Sequence, residues 1–129
     1  MNRLPNEPAY PEPPDHLGDI AAQHWRQLMV RLSKYQRPDR LDHTNIASLC
    51  IQHELICRIY QRLLDDGLTV DVITEAGAKE VKHPLLDQLS KSQQQYKDIG
   101  KLYGLDPVSR EKLGLELVKQ PQPMDALLN

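Results

Sequence analysis

Two sets of side chains in this sequence have the types and spacing to do chemistry. Cys50, His53 and Cys57 recur three and four residues apart, which places them on one face of a helix, and thiolate and imidazole are zinc ligands. A structural zinc site takes four ligands, and these three sit in the most regular apolar stripe of the chain. Buried packing is therefore the stronger reading, and no metal is expected. The second set is cationic: Arg26, Arg31, Lys34, Arg37 and Arg40. Residues 19–40 hold five basic and two acidic groups, a local +3 in a chain of net charge −2. At 100° per residue, Arg26, Lys34 and Arg37 fall opposite the stripe of Trp25, Leu28 and Leu32, with Arg31 at its edge and Arg40 in the following loop. These five are the candidate DNA-binding residues, and an ordinary solvated helix face is the alternative.

Other chemistry is missing from the sequence. There is no glycine loop to cradle a phosphate, no His-Glu-x-x-His and no nucleophile elbow, so neither catalysis nor a cofactor is expected. Tyr96 and Tyr103 stand seven residues apart beside Leu89 and Ile99, a spacing that suits packing better than base stacking. Lys97 and Lys101 fall on another face of the same segment, where they could line a groove or keep it hydrated.

The elements that must position these groups follow from periodicity and caps. Ala21, Trp25, Leu28, Met29 and Leu32 predict an amphipathic helix over 18–35, closed before Pro38. Asp42 is an N-cap for a longer helix whose apolar positions run Ile46, Leu49, Cys50, His53, Ile56, Cys57, Tyr60, Leu63 and Leu64, to Gly67 as its C-cap. Residues 68–83 alternate with β-branched side chains around Thr-Glu-Ala-Gly and predict a small hairpin. Pro84 opens a third helix, carried by Leu85, Leu89, Tyr96, Ile99 and Tyr103 to Gly104. In the stretch Tyr-Gly-Leu-Asp-Pro, Gly104 stops that helix while Asp106 and Pro107 start another, which makes a sharp corner. The fold class is mostly α: three to four helices with a small β-hairpin between the second and third long helices.

At 129 residues the chain suits one domain, and with six aromatics and no Phe its core must be aliphatic. Five of the ten prolines fall in residues 1–14, predicting a flexible arm; 15–119 form the helical domain, and 120–129 a second tail. Cys50 and Cys57, about 10 Å apart along a helix, are too distant for a disulfide. No apolar run is long enough to span a bilayer and the start lacks the pattern of a signal peptide, so a cytoplasmic protein with no membrane partner is expected. Three helical stripes exceed what so small a monomer hides easily, predicting a homo-oligomer.

Read in order, "PPDHLGDIAAQHWRQL", "LDHTNIASLCIQHELICRIYQRLLDDG", the hairpin, "HPLLDQL" and "LYGLDPVSREKL" resemble the small subunit of a tailed-phage terminase, over about residues 13–113. The matching positions are Pro14, Leu17, Ala21 and Trp25, then Cys50 and Tyr60, then His83-Pro84, and finally Gly104, Leu105, Pro107 and Arg110. Four positions depart from the pattern: Gly18 replaces a Ser cap, Asn45 an Asp, His83 an Asn, and Asp106 a Thr. Gly18 thus predicts a frayed start to the first helix. The resemblance implies a non-enzymatic, mostly helical subunit of the bacterial host cytoplasm. Such a subunit forms a ring, recognises double-stranded viral DNA at the packaging start and delivers it to the large subunit, which carries the ATPase and nuclease. The competing reading is a helical adaptor or regulator that binds only protein.

Overall fold

The computed structural model of the chain describes residues 10–118. Four helices and one hairpin follow in order: α1 (Asp19–Leu32), α2 (His43–Asp66), β1 (Thr69–Thr74), β2 (Gly77–Lys82), α3 (Leu85–Lys101) and α4 (Pro107–Lys112). The fold is mostly α, with the hairpin between α2 and α3 as expected. A 3-10 turn, Pro38–Arg40, lies in the gap between α1 and α2. Most of both proline-bearing tails, residues 1–9 and 119–129, falls outside the described residues. The inner end of the first tail, 10–14, lies on the core: Tyr10 packs against it, and the Trp25 indole N–H donates to the Pro11 carbonyl at 2.9 Å. A buried indole N–H needs an acceptor, and Pro11 supplies it.

The core forms where α1 crosses the first half of α2. Ala21, Trp25, Leu28, Met29 and Leu32 of α1 are all buried, facing Ile46, Ala47, Leu49 and Cys50 of α2, with Tyr103 closing one side. α2 also packs along α3; its second half buries Ile59 and Leu63, while the apolar side chains of α3 itself stay half-exposed. Periodicity nominates Ile56, Tyr60 and Leu64 for the buried stripe. Ile56 is only half-buried, and Tyr60 and Leu64 are exposed at 57 % and 61 %. Helical spacing marks a face but not whether a second layer covers it, and past α1 there is none.

Local signals explain the ends. Asp42 accepts from the Asn45 N–H at 3.2 Å, and Gly67 leaves α2 at φ 88°. His83 takes over the capping role of the usual Asn: its Nδ1 accepts from the Leu85 N–H at 3.1 Å while Nε2 lies 2.9 Å from Asp66 Oδ2. After α3 the chain makes a Schellman motif, with Leu105 N–H on Gly100 O at 3.1 Å, Gly104 N–H on Lys101 O at 3.4 Å and Gly104 at φ 70°. Asp106 then takes the N–H of Ser109 at 2.9 Å and its hydroxyl at 2.6 Å, starting α4. Arg110 ties the corner down, donating to Gly104 O at 3.0 Å and lying over the Tyr35 ring at 4.9 Å.

The start of α1 differs from expectation. Gly18 has no side chain to cap it, yet the Ala21 N–H is satisfied by Glu54 Oε1 of α2 at 3.1 Å. That hydrogen bond, more than the nearby Arg58, holds the Glu54 carboxyl below its usual range. A Cβ on Gly18 would stand 2.5 Å from Glu54 Oε1, so the glycine makes room for a cap sent from another helix. The end of α1 also falls short of Tyr35, because Tyr35 and Gln36 N–H groups both turn back to the Leu32 carbonyl.

Two outcomes follow for stability. Leu49→Ala should cost about 2–5 kcal/mol and Ile56→Ala clearly less, in urea unfolding at one fixed chain concentration. Glu54→Ala should lower stability, as the loss of a helix cap does. Gly18→Ala should add little to that loss, because both changes break the same Glu54 contact; simple additivity in the double-mutant cycle would refute a shared cap.

Candidate nucleic-acid interface

The burial of α1's apolar stripe decides where its cations go. With Trp25, Leu28 and Leu32 facing α2, Arg26 and Lys34 are exposed on the outward side. Arg37 and Arg40 continue this cationic run into the turn. Arg37 is paired with Asp39 through Nε at 3.2 Å and Nη2 at 3.0 Å, an exposed fork worth little in stability but sufficient to offset part of its charge. Arg40 and Arg26 have no ion-pair partner among the described residues.

Arg31 parts from the other four. Its guanidinium donates to the Leu105 carbonyl and turns toward α3, where it meets Lys97 and Lys101. These three cations rim a cavity of about 330 Å³ floored by Tyr96, Gly100 and Leu105, with Asp106 at one side. Sequence reasoning separates Arg31 from Lys97 and Lys101. The Schellman corner unites them, because it folds Leu105 back over Gly100 and brings a carbonyl within reach of Arg31. No periodicity within one helix carries that information.

Beside this cavity lies a polar node. The His24 and His53 rings stack with centroids 3.8 Å apart at 11°, and Tyr96 Oη is 2.8 Å from His24 Nε2. Gln27 Oε1 stands 3.4 Å from His24 Nδ1, an arrangement that fits Nδ1–H and a tyrosine hydroxyl donating to Nε2. Burial, and next to it the neighbouring His53, push the His24 pKa down to about 4; burial lowers His53 as well. His53 is thus engaged with His24, and Cys57 Sγ lies 3.7 Å from its Nε2. Burial pushes the Cys50 thiol up to about 12, so in the metal-free protein it holds its proton at neutral pH. No group of three His, Cys, Asp or Glu side chains is placed to hold a metal among the described residues.

Together these features define a class: a small helical protein with a hairpin at one end and a cationic surface at the other. Its family follows from comparison with known ones. The model of the family described as "Phage terminase, small subunit" matches residues 21–120, and the chain belongs to that family. No curated protein and no solved structure matches the chain. The match runs from the first buried residue of α1 through all four helices, and membership gives the protein a role in phage DNA packaging. No helix among the described residues is long and apolar enough to cross a membrane.

The histidine node sets a pH dependence. As pH falls below about 6.5 the unfolded chain takes up the His24 proton before the folded one does, so the stability due to the neutral stack is full above that pH and drains away toward about 4. The depressed carboxylates Glu54, Asp66 and Asp106 act in the same direction at still lower pH. Thermal melting followed by circular dichroism should therefore show a midpoint falling between pH 6.5 and 4.5, and His24→Asn should flatten that slope.

Proposed function

We propose that the protein is a non-catalytic recognition subunit that assembles into a ring, binds double-stranded viral DNA at the packaging start and passes it to the large terminase subunit in the host cytoplasm. The observation that carries this reading is the family match across the whole helical domain. The outward cations of α1 and its following turn support it. Arg26, Lys34, Arg37 and Arg40 are each exposed on α1 or in the segment after it, and Arg31 turns toward Lys97 and Lys101. Such a surface contacts phosphates, which supply affinity and position, and it offers little to read base edges. In a ring the same modest patch recurs in every copy, so linked contacts strengthen retention through effective concentration.

Lys34→Glu combined with Arg37→Glu should abolish retention of the full chain on a duplex at physiological salt while leaving its oligomeric mass unchanged. Both positions lie off the Trp25 stripe, so folding should survive. The slope of log affinity against log salt should also shrink as these cations are removed, by about 0.9 for each phosphate no longer neutralised. Retention that persists with an unchanged slope would move the DNA-binding surface elsewhere.

A further inference from the structure

The cationic cavity and the hairpin are opposite in charge and alike in having an apolar centre. On the hairpin, Asp71 pairs with Glu80 and Ile73 with Ala78, so by strand alternation these four share one face. Like charges directly across a strand pair are unfavourable, and neither carboxylate has an ion-pair partner among the described residues: Lys82, on the same face, is drawn to Asp87 at 2.8 Å. Next to it Ile73 is 93 % exposed, the most exposed large apolar side chain among the described residues. The Glu80 carboxylate accepts from the Thr69 hydroxyl at 2.6 Å, and a partner that is both cationic and apolar would complement this face.

The Arg31, Lys97 and Lys101 cavity is such a partner surface: its rim carries these three cations against one carboxylate, Asp106, around a floor of Tyr96, Gly100 and Leu105. Its volume of about 330 Å³ has room for an isoleucine side chain. No residue of the hairpin lines the cavity of its own chain. The hairpin joins α3 at Leu85, and the cavity lies at Gly100 and Lys101, about 24 Å away at 1.5 Å per residue.

We propose that the cavity receives the hairpin of a second copy, Ile73 entering the apolar floor while Asp71 and Glu80 meet Arg31, Lys97 and Lys101. This rests on the ring reading above and names the surfaces that join. Donor and acceptor are different patches of one chain, so the contact is heterologous: each copy gives a hairpin and receives one, and the series closes into a ring when the rotation per step divides a full turn. DNA phosphates are the rival occupant of the same rim.

Charge exchange in the full-length chain tests this. Asp71→Lys with Glu80→Lys gives a hairpin variant, and Lys97→Glu with Lys101→Glu a cavity variant; all four positions are exposed, and circular dichroism verifies the fold. By native mass spectrometry at micromolar concentration the parent should be an oligomer and each variant alone should fall apart. Mixed in equal amounts, the two should regain an oligomer containing both, since each reversed surface now meets its complement. Ile73→Ser alone should weaken assembly about tenfold or more, as expected for exposing a buried isoleucine. Variants that assemble like the parent, or that fail to complement on mixing, overturn this docking of hairpin on cavity while leaving the ring. A cavity variant that stays oligomeric and loses duplex DNA assigns the rim to phosphates instead. A monomeric parent removes the ring reading itself, and the hairpin docking with it.

Discussion

The seam between α1 and the first half of α2 is the constraint on which the rest of the molecule depends. With no Phe and one Trp, the chain can build only one dense core, and it places Trp25, Leu28, Met29 and Leu32 of α1 there, each fully buried. Burying side chains of this size contributes roughly 1.5–3 kcal/mol apiece. The seam also orients everything else. A helix that turns its whole apolar stripe inward must turn Arg26 and Lys34 outward, so one packing decision both stabilises the protein and displays its charge. α2 has 24 residues against 14 in α1, so it runs on past the seam as one side of a two-helix stalk with the hairpin at its tip. The stalk lacks a second layer, which is why Tyr60 and Leu64 remain in solvent.

Most of the fold was legible in the sequence because its boundaries are set by neighbours in the chain. Asp42, Gly67, Gly104, Asp106 and Pro107 each act within a few residues of themselves, through a side-chain cap, a positive φ or a missing N–H. Gly18 shows the limit of that logic. Read locally it is a missing cap, whereas in three dimensions it is the space through which Glu54, 36 positions later, reaches the Ala21 N–H. His83 in place of Asn is a similar case resolved locally, since an imidazole nitrogen accepts a helix N–H as an amide oxygen would. The overextended stripe of α2 has a third cause: apolar spacing reports amphipathicity, and only the lengths of the packed partners decide how far it is covered.

The candidate surface was legible in its residues and not in its grouping. All five cations of the first helix and turn could be named from spacing, but Arg31 belongs with Lys97 and Lys101 because of a helix stop more than sixty residues away. The histidine stack was likewise out of reach. His53 sits on a face that reads as core or as a metal ligand set, and its partner His24 comes from a helix whose pattern gave it no role. In both cases the missing term is which turn of one helix lies beside which turn of another.

Charge segregation gives these pieces a common physical sense. A chain of net charge −2 repels DNA on average, so in the proposed role any surface that meets phosphates would have to be locally basic. The fold separates part of its charge by length: Asp71 and Glu80 ride on the hairpin while Arg26, Arg31, Lys34, Lys97 and Lys101 sit around the α1 end of the molecule, with Asp39 and Asp106 remaining beside them. Separation within one chain has a second effect, because a molecule with unlike ends attracts copies of itself end to end more strongly than side to side. In the proposed assembly that attraction neutralises the acidic tips and leaves the outward cations of α1 uncovered, so oligomerisation itself would turn a weakly acidic monomer into a body with a repeated basic surface. Its association would weaken with salt at the charged rim, over a Debye length of about 8 Å at physiological ionic strength, and persist through the apolar floor. On that proposal the net charge of the chain would be a poor guide to what the assembly attracts, and the arrangement of charge along the stalk the better one.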